Sequence, residues 1–147
     1  MPSADGLLDT CVVIDLALYD ATDLPEISYV SAITMAELSF GVALAKTPIE
    51  AARRSQVFAA TKAWVRPLPF DGDAAEKYGE IAALVLEAGR QPRPRRLDLM
   101  IAAIAAVRHL SLYTSNPDDY RGLESVLTIN AVNPSARLEG AELNSPP

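Results

Sequence analysis

The chain has 147 residues, half of them hydrophobic and 22% charged, which fits one domain with a buried core and excludes a second domain of ordinary size. No apolar run reaches the roughly 18–20 residues that span a bilayer, the start lacks the basic segment of a secretory signal, and the single cysteine, Cys11, excludes an internal disulfide. We therefore expect a cytoplasmic protein that does not enter a membrane. The net charge of −6 is the wrong sign for holding nucleic acid by overall attraction, although four of the ten arginines lie within residues 90–96.

The first half of the chain is predicted to alternate strands with helices. Residues 6–9 form a short apolar run and residues 26–30 are rich in β-formers, so both segments predict strands. A short helix is predicted at 12–18, and a longer one begins at Ser31–Thr34 and runs to about residue 45. Thr47 precedes a proline at the first helical position and a glutamate at the third, which predicts another helix to about residue 63.

The second half continues the alternation and ends in a tail. The prolines within residues 64–70 indicate an edge strand or the end of a strand. A capping box, Asp73-Ala-Ala-Glu76, predicts a helix that ends at Gly89, and the apolar segment 97–109 predicts a buried helix. The other segments are predicted to be a loop at 90–96, strands at 112–114 and 126–130, and a flexible tail at 134–147 that follows a single domain at 1–133.

Strands that alternate with helices favour an α/β fold with a mainly parallel sheet and helices on both faces. Ligands of such folds bind beyond the carboxyl ends of the strands. Asp9 follows the first predicted strand, while Glu37 and Asp98 lie near the beginnings of two predicted helices. All three acids can therefore meet at one edge of the sheet, and carboxylates gathered in this way are the ligands that Mg²⁺ and Mn²⁺ prefer.

Each acid also has a purely structural explanation. Asp9 stands where a helix N-cap is expected, Asp98 where an N-cap or a first-turn acid is expected, and Glu37 completes a capping box with Thr34. The neighbouring residues weaken these explanations, because each acid lies in an apolar segment that is predicted to be buried. A buried carboxylate needs a partner, and a metal ion is one such partner. Capping and metal binding remain compatible with each other.

Four sequence blocks carry these acids in a distinctive order. They are Leu7–Ile14 with Asp9-Thr10, Ile33–Gly41 with Glu37, Asp98–Ala105, and Leu112–Tyr120. In order and spacing they resemble the signature segments of PIN-domain proteins, specifically the VapC toxins of bacterial toxin–antitoxin pairs. The segment Leu68–Gly79 is similar to the middle part of the same family, so the resemblance covers roughly residues 6–133.

The resemblance implies a three-layer α/β/α PIN-domain sandwich with a mainly parallel central sheet of four to five strands. It also implies an Mg²⁺- or Mn²⁺-dependent endoribonuclease, in which one or two ions activate water for in-line attack and leave 5′-phosphate and 3′-hydroxyl ends. By position, Asp9 and Asp98 match the principal metal ligands and Glu37 the third acid. Two residues remain candidates for the fourth position of the acidic site. Asn116 would add a neutral oxygen ligand, and Asp119 would act as a further catalytic acid.

A substrate and partners follow from the same resemblance. Arg93, Arg95 and Arg96 precede Asp98 and are candidates to hold the RNA backbone, although a solvated loop explains them equally. The family implies a tRNA, rRNA or mRNA substrate, a toxin that inhibits translation and growth, and a homodimer. It further implies a VapB-like antitoxin that places an arginine in the acidic site. The apolar stretch 33–60 would form part of either protein interface.

Two other functions were weighed against the nuclease. Phosphatases with a nucleophilic aspartate need a second acid two residues later, where this chain has Cys11, and receiver domains need a late lysine, which is absent beyond Lys77. Aspartyl-phosphate chemistry is therefore disfavoured. A catalytically weak PIN-like module that binds only RNA or an antitoxin remains the alternative, because Asn116 supplies no charge in the fourth place.

Overall fold

A parallel four-stranded sheet forms the centre of the computed structural model, which describes residues 4–135. The strands lie in the order β2-β1-β3-β4, and every neighbouring pair is parallel. Their bounds are β1 Asp5–Leu8, β2 Ile27–Tyr29, β3 Ser111–Thr114 and β4 Ile129–Ala131. The predicted α/β class with a mainly parallel sheet is confirmed.

Within residues 4–135, five α-helices cover the two faces of this sheet. Neighbouring residues on a strand point to opposite faces, so Leu7 and Leu112 pack in one core and Leu8 and Tyr113 in the other. The first core includes residues of α4 and α5, and the second includes residues of α1 and α2. The bounds are α1 Thr10–Ile14, α2 Ala32–Ala43, α3 Pro48–Trp64, α4 Gly72–Glu87 and α5 Arg96–Val107. The three-layer arrangement is that of the predicted sandwich.

Several predicted boundaries are wrong for identifiable reasons. The helix α4 begins at Gly72 because the Asp71 side chain accepts a hydrogen bond from the Ala74 N–H at 3.0 Å, so the predicted capping box at Asp73 is wrong. The strand β4 begins at Ile129 and not at residue 126. In place of a predicted edge strand at 64–70, Leu68 makes a single parallel bridge to Ser31.

The connecting segments contain short 3₁₀ turns, and two of them bear on the acidic residues. They are Leu16–Leu18, Ala21–Asp23, Arg93–Arg95 and Pro117–Tyr120. The helix end predicted at Gly89 is confirmed by the positive φ of that glycine, 76°. None of the helices within residues 4–135 is long and apolar enough to cross a membrane. Of the predicted tail, residues 136–147 lie outside the described part of the chain, while the Ser135 N–H donates to the Leu18 carbonyl at 2.7 Å.

Candidate active site

Asp9 lies at the carboxyl end of β1 and is 4% exposed. One carboxylate oxygen, Oδ1, accepts a hydrogen bond from the Thr10 N–H at 2.8 Å, so the capping explanation for Asp9 is confirmed. The other oxygen, Oδ2, accepts from the Thr114 hydroxyl at 2.8 Å and from the Cys11 thiol at 3.5 Å. Thr114 ends β3, the strand beside β1, so the fold itself orients this carboxylate.

Glu37 lies beyond the first turn of α2 and is held by a chain of hydroxyl groups. Ser31 is the N-cap of α2, because its side chain accepts from the Thr34 N–H at 3.0 Å, so the capping box predicted for Thr34 and Glu37 is wrong. The Thr10 hydroxyl instead donates to Glu37 Oε1 at 2.7 Å and lies 2.9 Å from the Thr34 hydroxyl. Burial raises the pKa of Glu37, the Thr10 hydrogen bond lowers it, and the charge of Asp9 raises it.

Asp98 interacts electrostatically with the other acids of the site. It lies in the first turn of α5, whose N-cap position is Arg95, so Asp98 is the first-turn acid that the sequence allows and not the N-cap. Burial raises the pKa of Asp98 to about 7, with further contributions from the charges of Asp9, Asp119 and Glu37. The three acids of the predicted metal site and the further candidate Asp119 therefore lie near enough for their charges to interact.

The two candidates for the fourth place differ in their surroundings. Asp119 lies in the turn Pro117–Tyr120, where its charge acts on Asp98 and its Oδ1 accepts from Arg95 Nη1 at 2.6 Å. Asn116 is exposed, and its side-chain amide donates to the Ser115 hydroxyl at 3.4 Å. Its backbone N–H donates to the Thr114 hydroxyl at 3.0 Å, so it supports the strand end that carries Thr114. The charge of Asp119 thus acts on Asp98, while neutral Asn116 supports the end of β3 that carries Thr114.

The arginines predicted to hold RNA are not alike. Arg93 and Arg96 are exposed, and the Arg96 guanidinium donates only to the Arg93 carbonyl, at 3.3 Å, among the bonds found in residues 4–135. Arg95 is ion-paired with Asp119 instead of being free for phosphate. A further arginine, Arg90, donates to the backbone carbonyl of Asp118 at 2.6 Å. Part of this basic segment therefore has a structural role.

Comparison with known proteins places the chain in a family. No family model matches the sequence. A curated relative, Ribonuclease VapC5 of Mycobacterium tuberculosis, is 35% identical over 133 residues, which cover 88% of this chain and 95% of the relative. The chain belongs to the VapC family. Among solved structures, the toxin–antitoxin complex VapBC-5 of M. tuberculosis is similar to this VapC chain at a TM-score of 0.76 and 33% identity, covering 88% of this chain and 98% of the other.

A second solved structure, FitAcB from Neisseria gonorrhoeae, has the same fold as this VapC chain. Its TM-score is 0.63 at 28% identity, and the match covers 84% of this chain and 94% of the other.

Three polar residues of this VapC site were given no role, or only a loose one, from the sequence. Thr10 holds Glu37, and Ser31 continues the same hydroxyl chain, since its side chain donates to the Thr34 hydroxyl at 3.3 Å. Tyr120 is fully buried, and its hydroxyl lies close enough to Asp9 to interact with it but makes no hydrogen bond of normal geometry. The sequence alone shows a threonine directly after Asp9, which could have indicated the role of Thr10. The position of Tyr120 beside Asp9 is evident only from the tertiary structure.

The donor set of this VapC site fits a hard divalent cation by chemistry and charge. Asp9, Glu37, Asp98 and Asp119 offer carboxylate oxygens, and their mutual repulsion, with burial, raises the pKa of Asp98. A divalent cation would relieve that repulsion. Within residues 4–135, however, no three His, Cys, Asp or Glu side chains already stand together as a ready metal-binding set. Metal binding at this site would therefore require rotation of some carboxylate side chains.

Proposed function

We propose that this chain is the toxin of a toxin–antitoxin pair and that it hydrolyses RNA phosphodiester bonds as an Mg²⁺- or Mn²⁺-dependent endoribonuclease. The observation that carries the proposal is that Thr10 links Asp9 and Glu37 by hydrogen bonds of 2.8 and 2.7 Å, while burial and the charges of Asp9, Asp119 and Glu37 raise the pKa of the half-buried Asp98. The relative named Ribonuclease VapC5 supports a nuclease activity. Cleavage of cellular RNA would in turn inhibit translation and growth.

The proposed cation would be held by Asp9, Asp98 and Glu37, with Asp119 at the edge of the set. When bound, such an ion supplies Lewis-acid stabilisation of charge and a more acidic water molecule. The protein contributes fixed orientation: Thr114 holds Asp9 at 2.8 Å, and Thr10 holds Glu37 at 2.7 Å. Hydrogen bonds of this kind orient metal ligands.

The exposed arginines Arg93 and Arg96 are the proposed contacts to the RNA backbone. Both precede Asp98 in the chain, on the turn and the first residue of α5, so a phosphate bound there would lie beside the acidic site. The chain as a whole is acidic, with a net charge of −6, so we expect binding to depend on this local basic segment and to weaken with salt. A tRNA, an rRNA and an mRNA all remain candidate substrates.

A VapB-like antitoxin is the proposed protein partner. The similar structure from M. tuberculosis belongs to a toxin–antitoxin complex. On this chain, three large apolar side chains of the stretch 33–60 are exposed: Phe40 by 64%, Leu44 by 57% and Ile49 by 76%. Exposed apolar surface of this kind marks a protein interface more often than a free surface. We propose that this surface contributes to antitoxin binding or to a homodimer.

The direct test is cleavage of total cellular RNA by the purified chain, free of antitoxin, with Mg²⁺ or Mn²⁺ and with EDTA. Asp9→Asn and Asp98→Asn each remove one charge from the site. Asp5→Asn is the matched control, because Asp5 lies at the amino end of β1, whereas Asp9 follows its carboxyl end. We expect discrete fragments with 5′-phosphate ends that persist in the control and disappear in EDTA and in both site variants. Cleavage that survives both variants would contradict the assigned site. RNA binding without cleavage, by folded protein that retains Mn²⁺, would favour the non-catalytic binding module.

A further inference from the structure

The turn Arg93–Arg95 and the turn Pro117–Tyr120 meet at the rim of the acidic site through two arginines. Arg95 Nη1 donates to Asp119 Oδ1 at 2.6 Å, and the two side chains are 30% and 37% exposed. Arg90 bonds to the backbone of the same turn, donating to the Asp118 carbonyl at 2.6 Å and to the Arg121 carbonyl at 3.4 Å. One arginine therefore contacts the backbone and the other contacts a site carboxylate.

The two arginines differ in what they hold. Arg90, whose side chain is only 10% exposed, holds the backbone through two carbonyls and lies 3.8 Å from the Asp118 carboxylate. Arg95 is ion-paired with the site carboxylate Asp119. Its charge also acts on Asp98, where it opposes the contributions of Asp9, Asp119 and Glu37. Arg95 thus lies where a positive charge offsets the acidic cluster.

We propose that Arg95 is a built-in counter-cation of the acidic site, which neutralises Asp119 in the metal-free protein and competes with a divalent cation for that carboxylate. The metal part of this proposal rests on the proposed function, while the pairing in the metal-free protein does not. Arg95 acts here as a positioning residue: it keeps Asp119 turned toward the basic segment until a stronger cation draws it inward. Because of this competition, the metal concentration that fills the site depends on Arg95.

Metal affinity distinguishes this role from a merely structural one. We expect Arg95→Gln to bind Mn²⁺ about three- to fivefold more tightly than the wild type by titration calorimetry, a range set by the usual strength of partly exposed ion pairs. Arg95→Lys, which keeps the charge, should remain near the wild type. Arg108→Gln is the matched control, because it removes the same charge from an exposed position at the other end of α5. A structural role predicts weaker or unchanged binding for Arg95→Gln.

Thermal unfolding in EDTA tests the pairing without any metal. Arg95→Gln should lower Tm more than Arg108→Gln does, and this difference should vanish in an Asp119→Asn background. If Arg95→Gln bound Mn²⁺ as tightly as the wild type or more weakly, the proposed competition would be wrong, although the metal site itself would not be contradicted. No Mn²⁺ binding by either the wild type or Arg95→Gln would overturn the metal site and the competition together. A loss of Tm that persists beside Asp119→Asn would overturn the pairing itself.

Discussion

The Thr114 hydroxyl donates a 2.8 Å hydrogen bond to Asp9 Oδ2, which joins the carboxyl ends of two neighbouring strands at the most buried acid of the site. Thr114→Val keeps the shape of the side chain and removes the donor. We expect the free energy of unfolding to fall by about 1–3 kcal/mol, because a buried carboxylate loses a partner. We also expect Mn²⁺ affinity or RNA cleavage to fall by about 10–100-fold.

Thr114→Ser restores the hydroxyl and serves as the control for this change. Denaturant unfolding and calorimetric titration with Mn²⁺ measure the two effects separately. If Thr114→Val were as stable as Thr114→Ser and bound Mn²⁺ equally well, the orienting role of Thr114 would be wrong.

The hydroxyl chain that ends at Glu37 predicts a second effect on activity. Thr10→Val removes the 2.7 Å donor to Glu37 and also the neighbour of the Thr34 hydroxyl at 2.9 Å. Because the Thr10 bond orients the Glu37 carboxylate and lowers its pKa, its loss should raise that pKa and reduce cleavage by about tenfold. The pH profile of cleavage should move to higher pH in Thr10→Val and stay near that of the wild type in Thr10→Ser. A loss independent of pH would point to distortion of α1 instead.

The raised pKa of Asp98 makes the stability of the metal-free protein depend on pH. The folded state holds this proton more tightly than the unfolded state, so the contribution is fully present below about pH 3.8 and is lost as the pH rises toward 7. Asp98→Asn removes the titrating group, so the variant should not lose stability in this pH range. In EDTA at pH 8 we expect the variant to melt about 2–4 °C above the wild type, a range discounted for the partial exposure of the group, and to show no advantage at pH 4. The electrostatic cause would be contradicted if Asp98→Asn raised Tm equally at pH 4 and pH 8, or if Asp5→Asn raised Tm in the same way.

Gly6 leaves room for an aromatic ring within the sheet. A Cβ atom built at Gly6 would lie 2.4 Å from Tyr113 Cε2 and 3.0 Å from Pro25 Cβ, and Tyr113 is only 1% exposed. The ring cannot yield easily, so Gly6→Ala should destabilise the fold by about 1–3 kcal/mol or more in denaturant unfolding. Gly79→Ala is the control: its Cβ would meet nothing within 4 Å in α4, and we expect a gain of about 0.5–1 kcal/mol. Equal stability of the two variants would show that the strand adjusts.

The sequence predicted the order of elements and the principal acids well, because both depend on local patterns. Asp9 follows an apolar strand and Asp98 lies in the first turn of an apolar helix, so their neighbours in the chain already indicate where they lie. The cap of α4 was misplaced because Asp71 and Asp73 are both good capping residues, and only backbone geometry decides between them. A capping box at Thr34 was predicted for the same reason, since Ser31 is an equally good N-cap.

The contacts between distant segments had no local signal. Arg95 and Asp119 are separated by 24 residues, and each alone resembles an ordinary surface charge. Which arginine pairs with which acid depends on how the two 3₁₀ turns approach each other. The sequence could therefore name Asn116 and Asp119 as candidates for the fourth position of the site, but it could not show that Asp119 pairs with Arg95.

The pairing of β1 with β3 also has a consequence for synthesis of the protein. Asp9 leaves the ribosome early, but Thr114 follows it by 105 residues, and the intervening chain must be closed into a loop before the two can meet. Contacts of such long range form slowly compared with local helices. A nascent or prematurely terminated chain that lacks β3 would therefore carry Asp9, Glu37 and Asp98 without assembling them. Translation must therefore pass β3 before these acids can be held together.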